Sequence, residues 1–595
     1  MTASRLLISI DNHVPLRVPY HQDPAAIRRS IARLLEILQP ARVTAFAVGH
    51  DGRAQYPSKV LPLVPGMDFD LVGLWRDTVR QAGVEFFIYV SSLRNDIVRE
   101  QHPEYARCFS NGNQAQVLDH NSGFLDQMLL PTLQELIDGY DPDGFFFDAD
   151  FWTLHDSWHP DTLSAFTQTT GLPAPADFGD ANFPAFRAFT YESYRNYVSK
   201  MAAFFAGQVR LVNWTINGAY SFRDPSDVPA GMVRTTVDMP PFYGLVESYL
   251  EAHFAQLRSR EFDINFPRFM HPEGSDRSQS KSPVQLRQEL AVSHAASSLA
   301  HFYLPMRHDG TIPSDELLPL ATALQRFSEV FGPTPVERGY ALATGAAVLH
   351  SNLHTQTTRD LTAIRGAAMA LLAGGAPFRM LGDGQLARQN PEVLIIADTV
   401  AHAPALLERI GVLIAGGTPV VVTDHALRSD PALDAVVAGL ADLAALRAGG
   451  AAQQVDLPQG GALLWLPGTP FRDFNTTLDL APLQRLFALL RRTSQFPLQI
   501  EAKDDYVFVK SYAAADGKNL LLCLSNMSFG GTALARHCYY DTVPLAGRLR
   551  MISSRPILSA SQTTEAGVVP LAVDGGRFET VPFEVYSVVE VVLAG

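Results

Sequence analysis

With 595 residues, 47% of them apolar, the chain has material for more than one packed core. Its 61 Asp and Glu outnumber its 47 Lys and Arg for a formal charge of -14. That balance excludes a general binder of nucleic acid or anionic membrane, which needs a basic surplus against phosphate, and favours a neutral, polar substrate.

Cys108, Cys523 and Cys538 are the three cysteines, too widely separated for a disulfide framework or a zinc-ligand spacing. Met1 to Ile10 lacks a charged leader followed by a long apolar segment, and no apolar run reaches the roughly 18 residues that span a bilayer. A soluble, cytoplasmic protein is expected.

Up to about residue 335, eight strand-like runs alternate with helical patterns. The strands are Leu6 to Ile10, Val43 to Val48, Val84 to Val90, Gly144 to Phe147, Val209 to Trp214, Val233 to Val237, Phe262 to Phe266 and Ala300 to Leu304. Amphipathic stretches between them include Pro24 to Leu38, Phe69 to Ala82, Phe124 to Gly139 and Pro283 to Ser298, several with Asp or Pro near the start. Eight such units predict a closed (β/α)₈ barrel of the TIM type over residues 1–335, with an open doubly wound sheet as the alternative.

A smaller α/β domain is expected over 336–480. Its strands are Ala346 to His350, Val393 to Ala397, Val412 to Ile414 and Val420 to Val422, and its helices Asp360 to Leu372 and Ala403 to Ile410. Gly411 to Thr423 reads as strand, Gly-Gly turn and strand; neither a Walker loop nor a GxGxxG fingerprint is present, and no cofactor is implied. After the helical stretch Leu483 to Arg492, the strands Tyr506 to Tyr512, Asn519 to Leu524, Arg548 to Ile552 and Val585 to Val592 predict an antiparallel β-sandwich over 495–595.

Chemistry in a parallel barrel sits beyond the carboxyl ends of the strands. Asp143 to Asp150, reading Asp-Gly-Phe-Phe-Phe-Asp-Ala-Asp, is a buried strand that delivers Asp148 and Asp150 there, on the same side of an extended backbone. Other strand ends carry Asp11 and His13, His50 and Asp51, Ser91 and Asn95, Asn217, Asp238, and Arg268 with His271 and Glu273. Carboxylates and neutral donors suit vicinal sugar hydroxyls, and Tyr56, Trp152 and Trp158 offer faces for the C–H side of a ring. A hydrolytic metal centre built from Asp11, His13, His50, Asp148 and Asp150 is the competing arrangement, although no helical ligand pair supports it.

His50-Asp-Gly-Arg-Ala-Gln-Tyr-Pro-Ser-Lys59 together with Asp143-Gly-Phe-Phe-Phe-Asp148 resembles the alpha-L-fucosidase-like glycoside hydrolases and related glycosyl hydrolase barrels. The resemblance implies that His50 and Asp51 contact the sugar and that Asp148 is the nucleophile. Ile10-Asp-Asn-His13 and Gln101-His-Pro-Glu104 fit the same group. The layout after residue 335 is similar to the glutaminase-like beta-galactosidase trimerisation domain followed by a β-sandwich, which implies a homo-oligomer, dimer or trimer. Arg53 stands where the fucosidase motif has an aromatic, and Phe146 where Trp is usual. Arg268-Phe-Met-His-Pro-Glu-Gly-Ser-Asp276 lacks the Trp of the related barrels, which points the acidic function to Glu273.

The reading that results is a retaining exo-glycosidase acting on an alpha-L-fucoside or a related pentoside. Asp148 is the nucleophile and Glu273 the first choice for acid/base, with Asp238 next. Asp11, His13, His50, Asp51, Tyr56, Asp150, Trp152, Asn217 and Arg268 are the expected substrate contacts. A metal-dependent hydrolase and a non-catalytic carbohydrate-binding barrel are the alternatives.

Overall fold

The computed structural model describes residues 6–11, 23–148, 156–229, 231–232, 234–239, 244–258, 261–270, 279–358, 360–400, 402–457, 460–503, 506–527 and 548–594. Eight parallel strands form the N-terminal sheet: β1 (Leu6–Asp11), β2 (Arg42–Val48), β3 (Glu85–Ser91), β4 (Gly144–Asp148), β5 (Asn213–Ile216), β6 (Arg234–Asp238), β7 (Glu261–Pro267) and β8 (Leu299–Pro305). Neighbours in sequence are neighbours in space, and β1 pairs β8, so the sheet curls into the barrel that the alternating pattern predicts. One seam is weak. Between β5 and β6 the described residues show a single bridge, Asn217 to Thr236, with Gly218 N–H donating to the Thr236 carbonyl at 3.1 Å.

Seven helices of the described residues surround the barrel: α1 (Pro24–Leu38), α2 (Leu71–Gln81), α3 (Leu130–Tyr140), α4 (Phe183–Ala206), α5 (Leu245–Gln256), α6 (Pro283–Ala296) and α7 (Ser314–Phe331). Asp23 caps α1, its side chain accepting from Ala25 N–H, with Pro24 in the first turn where no amide is needed. A single π turn, Leu125–Leu129, precedes α3. Pro131 has no N–H to donate, so the regular ladder cannot run through that point.

The strand expected over Val209 to Trp214 forms instead at Asn213–Ile216, because α4 runs to Ala206 and leaves Val209 and Leu211 exposed in the connection. No helix follows β5 among the described residues. The loop after it packs on the next domain, with His350 Nε2 bonded to the Phe222 carbonyl at 2.7 Å and Arg388 paired to Asp227 at 3.6 Å.

That second domain is a six-stranded sheet. Its strands Phe378–Leu381, Ala346–Leu349, Val393–Ile396, Val420–Thr423 and Ala462–Leu466 are parallel, and Gln453–Asp456 is an antiparallel edge. The strand expected at Val412 to Ile414 belongs to the helix Pro404–Ala415. Leu406, Ile410, Leu413 and Ile414 are buried at helical spacing while Val412 is exposed, and three apolar residues are too few to distinguish the two periods. A six-stranded antiparallel sheet, which takes the strand Tyr340–Leu342 from ahead of the second domain, and a four-stranded one beyond it enclose one apolar core to make the C-terminal sandwich. This sandwich docks on the barrel through His294 Nδ1 and Tyr586 hydroxyl at 2.8 Å, and Gln256 and Tyr512 hydroxyl at 2.8 Å.

Along β4 the period of two sorts the three phenylalanines. Phe145 and Phe147 face outward onto Phe205 of α4, at 5.6 and 5.9 Å between ring centroids. Phe146 points into the barrel beside Tyr89, and Asp148, two residues on, points to the same side at the mouth. Gly144 starts the strand because a Cβ there would meet the Phe87 ring and come 2.7 Å from the Asn213 carbonyl oxygen. Gly144→Ala is expected to cost about 1–3 kcal/mol by overpacking, read as a lower denaturant midpoint at unchanged m-value.

Candidate active site

A polar layer closes the carboxyl-terminal end of the barrel. Asp148 lies at its centre: the Tyr89 hydroxyl donates to its Oδ2 at 2.5 Å and Asn217 Nδ2 to its Oδ1 at 3.2 Å. Ser91 Oγ donates to the Arg94 carbonyl at 2.7 Å, so it accepts from His50 Nδ1, also at 2.7 Å. That bond fixes the ring with Nε2 3.8 Å from Asp148 Oδ2.

Tyr89 comes from within the apolar third strand, stacked on Phe46 at 3.6 Å between centroids. Burial, then the adjacent Asp148, and beyond it Asp11 and Asp238 push its phenol well above the usual tyrosine range. It is therefore a permanent hydrogen-bond donor to Asp148, and it places three acidic side chains, Asp11, Asp148 and Asp238, within electrostatic reach of one hydroxyl.

Asp238 ends β6 across the seam. Burial first and the charge of Asp148 second raise its carboxyl to about 7, against the opposing pull of the Asn217 hydrogen bond and Arg223; Glu251 adds to the rise. Asn217 thus donates to Asp148 and also lowers the proton affinity of Asp238. Among the described residues, Asn217 Oδ1 and Asn265 Oδ1 are buried without a hydrogen-bond partner, two acceptors suited to hydroxyl donors. A carboxyl near neutrality beside a hydrogen-bonded carboxylate is the electrostatic arrangement of an acid/base and nucleophile pair.

The His50-Asp51-Gly52 turn is built on the short helix Asp96–Gln101. Asp96 N–H donates to the His50 carbonyl at 3.0 Å and Ile97 N–H to the Asp51 carbonyl at 3.1 Å, while Asn95 caps the helix through Val98 N–H. Gly52, at φ 81°, leaves room for the Asn95 side chain that a Cβ would overlap. The Asp51 carboxylate lies 3.9 Å from Arg53 Nε, the residue that replaces the motif's aromatic.

Several expected contacts are corrected. Tyr56 is 1% exposed and no sugar platform: its hydroxyl donates to Glu135 at 2.9 Å and its ring meets Tyr140 edge-on. Ser58 Oγ and Lys59 N–H converge on the same Glu135. Trp158 is core as well, stacked on Phe183 with its indole N–H on the Pro175 carbonyl. Arg268, 3% exposed, pairs with Glu316 at 3.2 Å and donates to the Lys281 carbonyl at 2.6 Å; no described contact brings it to Asp148. In each, the side chain packs on a helix, at Glu135 of α3, Phe183 of α4 and Glu316 of α7. His13, Asp150, Trp152, His271 and Glu273 lie outside the described residues.

Sequence reasoning passed over Tyr89 and Asn265. Tyr89 sits two residues before Ser91, and period two from that candidate would have found it. Among the described residues no group of three or more His, Cys, Asp or Glu side chains is placed to hold a metal ion. No helix of the described residues is long and apolar enough to cross a membrane.

The family pattern described as alpha-L-fucosidase matches residues 43–175, the span that carries His50, Tyr89 and Asp148. No curated protein sequence matches the chain. Among solved structures, alpha-L-fucosidase isoenzyme 2 from Paenibacillus thiaminolyticus aligns over 100% of both chains at TM-score 0.79 and 16% identity. The GH42 beta-galactosidase Gan42B from G. stearothermophilus aligns over 99% of this chain and 98% of its own, at TM-score 0.63 and 11% identity. The beta-galactosidase from Halorubrum lacusprofundi covers 97% and 98%, also at 0.63 and 11%. The fold of all three runs the length of the chain, from barrel through the α/β domain to the sandwich. An alpha-L-fucosidase pattern thus crosses the strands that bear His50, Tyr89 and Asp148, and the fold around them is the one these glycoside hydrolases share.

Proposed function

We propose that the chain is a retaining exo-glycosidase that removes a terminal alpha-L-fucosyl or related pentosyl unit, with Asp148 as nucleophile and Asp238 as acid/base. The observation that carries this reading is the pairing of Asp148, hydrogen-bonded by Tyr89 and Asn217, with Asp238, whose carboxyl burial and the charge of Asp148 raise to about 7. The reading requires the two carboxyls to stand about 5 Å apart; an inverting pair would stand roughly 6.5–9.5 Å apart to admit a water. Asp238 replaces Glu273 as first choice because its environment supplies the raised proton affinity that a general acid needs.

In the first step Asp148 attacks the anomeric carbon while the Asp238 carboxyl gives its proton to the departing oxygen. In the second, Asp238 takes a proton from water as that water displaces the carboxylate of Asp148. Tyr89 and Asn217 hold Asp148 in line for both. A reacting layer sunk into the barrel mouth favours a chain end over an internal unit, and the family pattern favours fucose.

The test is a panel of nitrophenyl glycosides that includes alpha-L-fucoside and arabinosides. Hydrolysis of the fucoside or a close pentoside is expected, and on a natural linkage of the same sugar kcat/KM should fall as pH rises through about 7, where Asp238 loses the proton it must donate. Binding of sugars without turnover on any member would reduce the protein to a carbohydrate-binding barrel.

A further inference from the structure

Directly beneath the polar layer, a chain of side-chain hydrogen bonds crosses five consecutive strands inside the barrel. Ser9 on β1 meets His301 Nε2 on β8 at 2.7 Å, and His301 Nδ1 meets Asp263 Oδ2 on β7 at 2.8 Å. Thr236 Oγ1 on β6 donates to Asp263 Oδ1 at 3.2 Å, and Thr215 Oγ1 on β5 lies 3.0 Å from Thr236 Oγ1. All five residues are at most 3% exposed.

The directions follow from donor counting. A carboxylate only accepts, so His301 Nδ1 and Thr236 both donate to Asp263. Thr236 has then spent its one proton, so in the contact between the two it is Thr215 that donates, sharing its proton with the Arg234 carbonyl at 3.3 Å, also across the seam. Burial pushes the Asp263 carboxyl up, but the hydrogen bond and charge of His301, with Arg234 and Arg42, hold it below the usual carboxylate range. Those arginines are anchored at the floor of the barrel by Glu85 and Glu261, at 2.7 and 2.8 Å.

The chain crosses the one seam where backbone pairing is thin. Asp238 stands two residues beyond Thr236 on β6, and Asn217 two beyond Thr215 just past the end of β5, so the threonine contact sits below the gap between them. Resting on the reading of Asp148 and Asp238 as the reacting pair, we propose that Thr215, Thr236 and Asp263, with His301 and Ser9, are positioning residues that fix the distance between Asp238 and the Asn217–Asp148 pair.

Loosening the seam should leave Asn217 with β4, through its N–H on the Phe147 carbonyl at 2.8 Å, and leave Asp238 with β7, where it pairs with Asn265. The gap opens between them. Of the neighbours that set the proton affinity of Asp238, Glu251 lies on α5 and accepts from Phe222 N–H at 2.7 Å, which keeps it and the Arg223 segment with β6, whereas the raising influence of Asp148 and the weaker lowering influence of Asn217 both decline. The net shift is downward.

Thr236→Val and Thr215→Val keep shape and strand preference while removing the contact. Each is expected to lower kcat by roughly ten- to a hundredfold with KM little changed, and to move the alkaline limb of the pH profile to lower pH; Thr236→Ser, which retains the hydroxyl, should restore both. A folded Thr236→Val or Thr215→Val enzyme that melts earlier yet keeps the wild-type pH profile and kcat would overturn the proposal and leave a purely structural chain. Asp238→Asn, measured alongside, separates the two levels of argument. If it retains wild-type turnover, the reacting pair itself is misread and the positioning role falls with it; if it is inactive while the threonine variants are unchanged, only the positioning role fails.

Discussion

Asp148→Asn should lower turnover by several orders of magnitude on every substrate, because the swap is nearly isosteric and removes only the nucleophile. The fold should survive at a cost of about 1–2 kcal/mol. Asn Oδ1 can still accept from Tyr89, but its amide meets Asn217 Nδ2 donor to donor. Steady-state kinetics and a melting curve on the same preparation check both halves. Activity near wild type would remove Asp148 from the mechanism, and an inactive Asp150→Asn would then hand the role to Asp150.

Asp238→Ala carries the second large effect. Natural linkages, whose leaving oxygen needs a proton, should be hydrolysed very slowly, while an activated aryl glycoside still glycosylates the enzyme and stalls for want of a base. Azide, which needs no base, should restore turnover and yield a glycosyl azide. If azide rescues Glu273→Ala and leaves Asp238→Ala unchanged, the acid/base belongs to Glu273. Stability should move the other way. A carboxyl whose proton affinity is raised in the folded state stabilises the fold below its unfolded pKa, near 4, and that contribution is lost as pH rises through about 7. Asp238→Asn should therefore match or exceed the wild type in melting temperature above pH 7 while being inactive, a pattern expected of a site that trades stability for chemistry.

Much of the barrel was legible because its signal is periodic. Gly144 to Phe147 reads as a buried strand from composition alone, and period two carries that reading to Asp148 at the mouth. Where the apolar run was short, as at Val412 to Ile414, helix and strand gave the same pattern, and Pro404 at the helix start was the better guide. Three of the residues that sequence offered as sugar contacts failed for a different reason. Tyr56, Trp158 and Arg268 find partners in Glu135, the Pro175 carbonyl and Glu316, residues 17 to 79 positions away in the chain whose approach no local pattern announces. Asp238 was legible as a strand-end carboxylate, but its precedence over Glu273 depends on Asn217 and Asp148 arriving from two other strands.

The central claim is that Asp148 forms a covalent bond to the sugar, and trapping tests it most directly. A 2-deoxy-2-fluoro glycosyl fluoride of the sugar that the panel identifies slows both steps by withdrawing charge from the oxocarbenium-like transition state, while its good leaving group lets the first proceed. After incubation and proteolysis, mass spectrometry should find one glycosylated peptide, with the sugar on Asp148. A label on another carboxylate, or no label together with a product of inverted anomeric configuration, would contradict the account.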